Sequence, residues 1–259
     1  MSDTPPFTDP ADVKAGANAI TVKSVQYGAQ TMLLDKDVTI PTRDGGTLFA
    51  NVFRPTTQGK YPVVISADIY GKDSIHMVYA GMMPGAASLG MYTASQFAAW
   101  EAPDPAFWVP NGYAVVKVAL RGTSGSKGTI SPMSDEEALD YCDAIEWAGV
   151  QPWSTGAVGM NGVSYLAMTQ WRAAQFNPPH LKAMIPWEGV SDMYREWSFH
   201  GGIPETGFTR RWIKGVAARN PGATVEDFTA LERDHPLLDS FWQSRHGNLA
   251  NIKEIGRAH

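Results

Sequence analysis

Gly156-Ala-Val-Gly-Met-Asn-Gly-Val-Ser-Tyr-Leu-Ala-Met-Thr-Gln-Trp-Arg-Ala-Ala-Gln-Phe176 is the stretch that decides the fold. Its first part, Gly156 to Val163, is short, small and apolar, as a buried strand is. The part after Ser164 carries Leu166, Met168, Thr169, Trp171 and Ala173 without Gly or Pro, as a helix does. Ser164 stands at the join. A serine on a sharp strand-to-helix turn is pushed out over the sheet edge, and the helix amides behind it face whatever negative charge develops there. Gly162-Val-Ser164-Tyr-Leu166 keeps only the first glycine of a Gly-x-Ser-x-Gly elbow, with Leu166 in place of the second. Position rather than the tripeptide makes Ser164 a candidate nucleophile; the competing reading is a serine that only caps the helix.

Outward from this stretch the chain alternates. Leu34, Val38 and Ile40, then Leu48, Ala50 and Val52, fall on alternate positions around the turn Pro41-Thr-Arg-Asp-Gly-Gly46, which predicts a β-hairpin. Tyr61 to Ile69 and Gly112 to Leu120 are apolar runs of strand length, such as a sheet covered on both faces requires. Tyr70-Gly-Lys-Asp73 leaves the first of these on a loop, and Arg121 to Gly128 leaves the second on a glycine-rich one. Pro105 to Asn111 fits a short helix, and residues 74 to 103 read as an insertion. Ser134 and Glu137 form a capping box for a helix whose apolar positions Ala138, Cys142, Ile145 and Ala148 run to Gly149. Leu181 to Trp187 predicts one more strand. The alternation of strand and helix from residue 61 implies an α/β fold with a mainly parallel sheet. Val225 to Arg233 and Ser240 to His246 fit helices, and no strand is evident in that region. The expected division is an N-terminal arm over 1–30, a core over 31–190, and a helical cap with the start of a further strand over 191–259. Such a cap would wall a pocket at the carboxyl ends of the strands.

Composition excludes several functions. With 21 Lys plus Arg against 26 Asp plus Glu, the net charge of −5 over 259 residues gives no footprint for nucleic acid or an anionic membrane. No apolar run approaches the roughly 18 residues that span a bilayer. The N-terminus also lacks the order of a signal peptide, so the expected compartment is the cytoplasm. One cysteine, Cys142, excludes an internal disulfide framework and a cysteine-based zinc site. The Arg121 to Gly128 loop lacks the Gly-Lys-Ser/Thr ending of a phosphate loop, which removes a nucleotide site.

Gly159-Met-Asn-Gly-Val-Ser-Tyr-Leu-Ala-Met-Thr-Gln-Trp171 arrives in order with six other motifs: Ile40-Pro-Thr-Arg-Asp-Gly, Arg54-Pro55, Tyr61-Pro-Val-Val-Ile, Tyr70-Gly-Lys-Asp, Gly112-Tyr-Ala-Val-Val and Arg121-Gly-Thr-Ser-Gly-Ser. The set resembles the X-Pro dipeptidyl-peptidase and cocaine-esterase (CocE/NonD) family of serine hydrolases from about residue 32 to about residue 250. The resemblance implies an α/β-hydrolase fold with an inserted helical cap and no cofactor or metal. It also implies Ser164 as the nucleophile attacking an ester or amide carbonyl, with Tyr70 helping to bind the oxyanion. Acyl transfer passes through a tetrahedral oxyanion that two prepositioned donors stabilise, here the Tyr70 phenol and the Tyr165 backbone amide. Without the resemblance, Tyr70 reads as an ordinary strand-end aromatic.

A serine nucleophile needs a base and an orienting acid. Downstream stand Asp192, Asp227, Asp234 and Asp239, with His180, His200, His235, His246 and His259. In the resembled family the acid and the histidine follow two further strands after the cap, before a β-rich jelly-roll domain. The sequence reaches Asn251-Ile-Lys-Glu-Ile255, where the first of those strands would begin, so both groups and that domain are expected to be absent from it. Glu188 and Asp192 are candidates to recognise a substrate amine, with a salt bridge to Arg195 as the alternative. Trp100, Trp108, Trp187, Trp197 and Trp212, with Met91, Met168 and Met193, are candidates for an acyl pocket or for core packing. Two functions remain open: hydrolysis of a small ester, amide or short peptide through an acyl-enzyme on Ser164, or a truncated scaffold that binds without turnover. An unpaired sheet edge would favour a homo-oligomer.

Overall fold

The structure, a computed structural model, describes residues 22–27, 30–73, 95–252 and 257–258. The hairpin forms as the alternation requires: strand β2 (Gln30–Pro41) pairs antiparallel with β3 (Thr47–Pro55), Ile40 opposite Leu48, with a bulge between Asp35 and Val38. The arm expected over 1–30 is different at its end. Val22–Tyr27 is a strand, β1, paired antiparallel with β2. β4 (Tyr61–Asp68), β5 (Ala114–Ala119), β7 (Ser154–Val163) and β8 (Leu181–Trp187) supply the parallel part of the sheet. Two-residue β6 (Thr129–Ile130) lies outside it.

The eight-stranded order is β1-β2-β3-β5-β4-β7-β8-β12, in which β12 is Arg257–Ala258 running parallel to β8. Of the stretch over 251–255 where a further strand is expected to begin, Asn251 closes the 3₁₀ turn Leu249–Asn251, and residues 253–255 lie outside the described residues.

Alternate residues of each strand face opposite layers. Val116, Ile65 and Met160 face the main core with α2 (Asp135–Gly149) and α3 (Tyr165–Ala174), while Val115 and Phe53 face a smaller cluster under α1 (Pro105–Trp108). Helices thus cover both faces, as continuous apolar strands demand. Trp108 packs edge-on against Tyr113 in that second layer. Met91 lies outside the described residues.

After β8 the chain builds the cap. A π-helical turn (Tyr194–Ser198) leads to the short pair β9 (Phe199–His200) and β10 (Ile203–Pro204), then α4 (Phe208–Arg219), β11 (Thr224–Val225), α5 (Phe228–Asp234) and α6 (Ser240–Ser244). β11 runs parallel to β6. Buried arginines tie the cap down. The Arg245 guanidinium donates to the Pro132 carbonyl and to Glu226 at 2.7 Å, and the Arg172 guanidinium joins Asp135 to the carbonyls of Ser244 and His246. Among the described residues no helix is long and apolar enough to cross a membrane.

Candidate active site

Ser164 follows the last residue of β7 and precedes the first of α3 with φ 56° and ψ −119°. An L-residue avoids this region because its Cβ crowds the backbone, at a cost of about 1–3 kcal/mol. Surrounding structure holds it there. The Ser164 amide donates to the Trp187 carbonyl at 2.9 Å, and its own carbonyl accepts from Ala167 and Met168. Gly162 is required by the same turn: a Cβ there would lie 2.4 Å from the Leu166 Cβ and 3.1 Å from the Leu166 carbonyl oxygen. The Leu166 side chain, in place of the second glycine, packs into the space that Gly162 leaves open.

Two neighbours share the strain. Glu101, at φ 59°, accepts the Val163 amide on its carbonyl at 3.1 Å, and Glu188, at φ 54°, directly follows Trp187. Three non-glycine residues at positive φ thus converge on the elbow, a pattern typical of functional sites. Burial pushes the Glu101 carboxyl up to about 8, with Asp68 and Glu188 adding to it.

Tyr70 arrives from the adjacent strand. Ile65 pairs with Met160, so Asp68 lies level with Val163 and Tyr70 level with Tyr165 three and five residues on. The turn beyond β4 is shaped by buried Asp68, whose Oδ1 accepts the amides of Tyr70 and Gly71, each at 2.7 Å. Burial raises this carboxyl to about 6. The cap grips Tyr70 and the residue before it, from α4 and from the residue that ends it. Trp212 Nε1 donates to the Tyr70 hydroxyl at 2.9 Å, and Asn220 Nδ2 donates to the Ile69 carbonyl at 2.9 Å. Because the phenol oxygen accepts from the indole, its O–H is the part it can donate.

Tyr165 places its amide at the first position of α3, where the helix ladder offers it no acceptor and the Ser164 side chain makes no cap. Its ring is locked by its hydroxyl, whose one hydrogen is shared between the two Glu137 carboxyl oxygens, each at 2.7 Å, and it packs against Tyr70 at 6.2 Å and Trp212 at 5.3 Å. Ser134 caps the Glu137 amide as the capping box requires, yet the Glu137 carboxylate serves Tyr165 and the Met133 amide instead. Burial raises this carboxyl to about 7.

The structure thus sets Tyr70 against Tyr165, the residue next to Ser164 at the elbow. It does not bring the candidate bases there. His180 precedes β8 and holds Glu146 at 2.7 Å; with Leu181 opposite Val158, it lies some six residues, roughly 20 Å, from the elbow. His200 Nε2 contacts the Glu196 carbonyl, and His235 pairs with Asp239 at 2.6 Å. The His246 ring lies 3.8 Å from Asp192. Asp192 itself forms the expected salt bridge to Arg195 at 2.6 Å. Asp227 caps α5, and Asp234 pairs with Arg233. His259 lies outside the described residues. Among the described residues, the Ser164 hydroxyl has no hydrogen-bond partner, and no three His, Cys, Asp or Glu side chains gather to hold a metal.

Residues 44–251 match the X-Pro dipeptidyl-peptidase (S15) family. The chain belongs to that family. It is 34% identical to the cocaine esterase of a Rhodococcus species over 169 residues, 64% of this S15 chain and 25% of the esterase. The crystal structure of a CocE/NonD family hydrolase from Staphylococcus aureus superposes with a TM-score of 0.82 at 55% identity, over 95% of this chain and 44% of that one. An α-amino acid ester hydrolase, 19% identical with a TM-score of 0.63, shares the fold over 92% of this chain and 43% of its own. The fold is that of the α/β hydrolases, and the S15 chain spans less than half the length of each of these relatives.

Proposed function

We propose that this chain carries the nucleophile and oxyanion site of a serine hydrolase acting on a small ester, amide or short peptide. The observation that supports it most is the strained backbone of Ser164, held between the carbonyl of Trp187 and the first turn of α3. In the proposed reaction Ser164 Oγ attacks the carbonyl carbon while its proton passes to a general base. The Tyr70 O–H and the Tyr165 N–H donate to the developing oxyanion, each such donor being worth about 10²–10³ in rate. Collapse of the tetrahedral species expels the alcohol or amine with that proton and leaves an ester on Ser164, which water then hydrolyses. Hydrolysis of p-nitrophenyl butyrate tests this: the reading requires turnover that Ser164→Ala abolishes.

A second reading is favoured by one specific observation. Each described histidine is engaged away from Ser164, and the Ser164 hydroxyl has no described partner. A scaffold that binds a ligand without turnover fits that observation. It requires that p-nitrophenyl butyrate be released no faster by the wild-type chain than by Ser164→Ala.

A further inference from the structure

A cavity of about 610 Å³ opens over the carboxyl ends of β4 and β5, a volume in the range that holds small ligands. Tyr70 forms part of its wall, with the Ser124–Gly128 loop after β5 and the Arg219–Thr224 segment that ends α4. Tyr70 is the residue that this cavity shares with the proposed oxyanion site. A substrate whose carbonyl oxygen rests on the Tyr70 phenol can extend one of its two arms into it.

Among the described residues, three charged side chains line this space: Asp73, Lys127 and Arg219. Asp73 is already neutralised by Lys72 at 2.7 Å and Lys36 at 3.5 Å, and accepts a further hydrogen bond from Asn51 at 2.8 Å. Those contacts hold its carboxyl below the usual range. The two cations have no such compensation. Among the described residues neither Lys127 nor half-buried Arg219 has an ion pair or a side-chain hydrogen bond. Glu101 acts on Arg219 at longer range, but a carboxyl pushed up to about 8 carries little charge at neutral pH.

The Arg219 guanidinium is open to solvent, so its fork of five N–H donors is hydrated and available to a ligand rather than committed to a protein partner. Gly215, one turn before, leaves room for the Arg219 fork: a Cβ there would lie 3.0 Å from Nη1. In the facing loop, Ser124 and Gly125 turn through positive φ of 44° and 94°, and their amides take no part in the loop's backbone hydrogen bonds.

We infer that the ester or amide taken by this chain carries an oxyanion group, a carboxylate or a phosphate, which Arg219 receives in the cavity beside Tyr70. The inference rests on the hydrolase reading for its reaction, though not for its binding site. Arg219 is then a specificity-determining residue: the fork pairs with a planar or tetrahedral oxyanion through two parallel N–H···O bonds, which lysine cannot reproduce.

Two assays test it. In the first, wild-type, Arg219→Gln and Arg219→Lys chains hydrolyse mono-p-nitrophenyl glutarate and its neutral counterpart p-nitrophenyl pentanoate. The expected result is a preference for the charged ester of about tenfold or more in kcat/KM, carried by KM and reduced by 0.5 M NaCl, as for a solvent-accessible charge pair. Arg219→Gln removes the preference and Arg219→Lys keeps only part of it. A ratio within twofold of wild type in Arg219→Gln, with both variants melting as wild type does, overturns the inference.

The second assay needs no turnover. Ser164→Ala is titrated with glutarate, with inorganic phosphate and with neutral glutaramide, following the melting temperature. A rise with glutarate or phosphate that is absent with glutaramide, and absent again in Ser164→Ala/Arg219→Gln, supports the site, and the anion giving the larger rise identifies the group. Equal behaviour of the two proteins overturns it. Loss of all ester turnover with the anion response intact would strike the hydrolase reading alone; turnover without any Arg219 effect would strike only this inference.

Discussion

Replacing Tyr70 by phenylalanine removes one oxygen and separates its packing from the oxyanion role proposed for it. The ring keeps its edge contact with Tyr165 at 6.2 Å, so packing is preserved. The Trp212 indole N–H, 2.9 Å from the lost oxygen, is left without its acceptor, which costs about 1 kcal/mol of stability for this part-buried donor. Activity suffers more: loss of one oxyanion donor lowers kcat by about 10²–10³ with little change in KM. Trp212→Phe breaks the same hydrogen bond from the other side but leaves the phenol O–H in place. Its direct loss is that of a neutral hydrogen bond, about 0.5–1.5 kcal/mol, or less than about tenfold if all of it reached the transition state. Initial rates on p-nitrophenyl butyrate, beside urea unfolding of the same proteins, separate the two. Comparable kcat in the two variants, or a fall of less than about threefold in Tyr70→Phe, would refute the oxyanion role, because a merely structural tyrosine loses the same bond either way.

Gly162→Ala should destabilise the chain by about 1–3 kcal/mol or more, since its methyl meets the Leu166 Cβ at 2.4 Å where carbon atoms need about 3.5–4 Å. A shifted denaturant midpoint with unchanged slope is the expected result. Glu137→Gln should alter the pH dependence of stability in a defined direction. The folded-state value of about 7 exceeds the ordinary 4.5, so the contribution of this carboxyl is fully present below pH 4.5 and is lost as pH rises through 7. The glutamine variant should lose that decline, on the order of 3 kcal/mol at most, in melts taken across pH 4.5 to 8.

Much of the core was legible because its strands are buried on both faces and its helices are amphipathic. The run from Gly156 to Phe176 splits at Ser164 as its composition suggests, and Ser134 starts α2 as predicted. What stayed hidden depends on contacts distant in sequence. α4 has the spacing Phe208, Trp212 and Val216 that marks a helix, but Gly215 interrupts it. Its start is capped from outside, by Glu205 accepting the amides of Gly207, Phe208 and Thr209. Missing that helix conceals Trp212 and Asn220, the two residues that grip Tyr70 and its strand end. Glu137 has a local explanation as a capping residue, which hides its bond to a tyrosine 28 positions away. Asp68 left a usable trace, an acid inside an apolar strand, whose reason is the pair of turn amides it accepts.

The central claim is that Ser164 is a nucleophile, and covalent labelling tests it without reference to substrate. The chain is treated with a fluorophosphonate at neutral pH, digested, and the peptide containing Gly162-Val-Ser164-Tyr is examined by tandem mass spectrometry. The account predicts one phosphonyl adduct, on Ser164, absent in Ser164→Ala and slowed in Tyr70→Phe. Labelling that persists unchanged in Ser164→Ala, or no adduct on the wild-type elbow peptide, would contradict it.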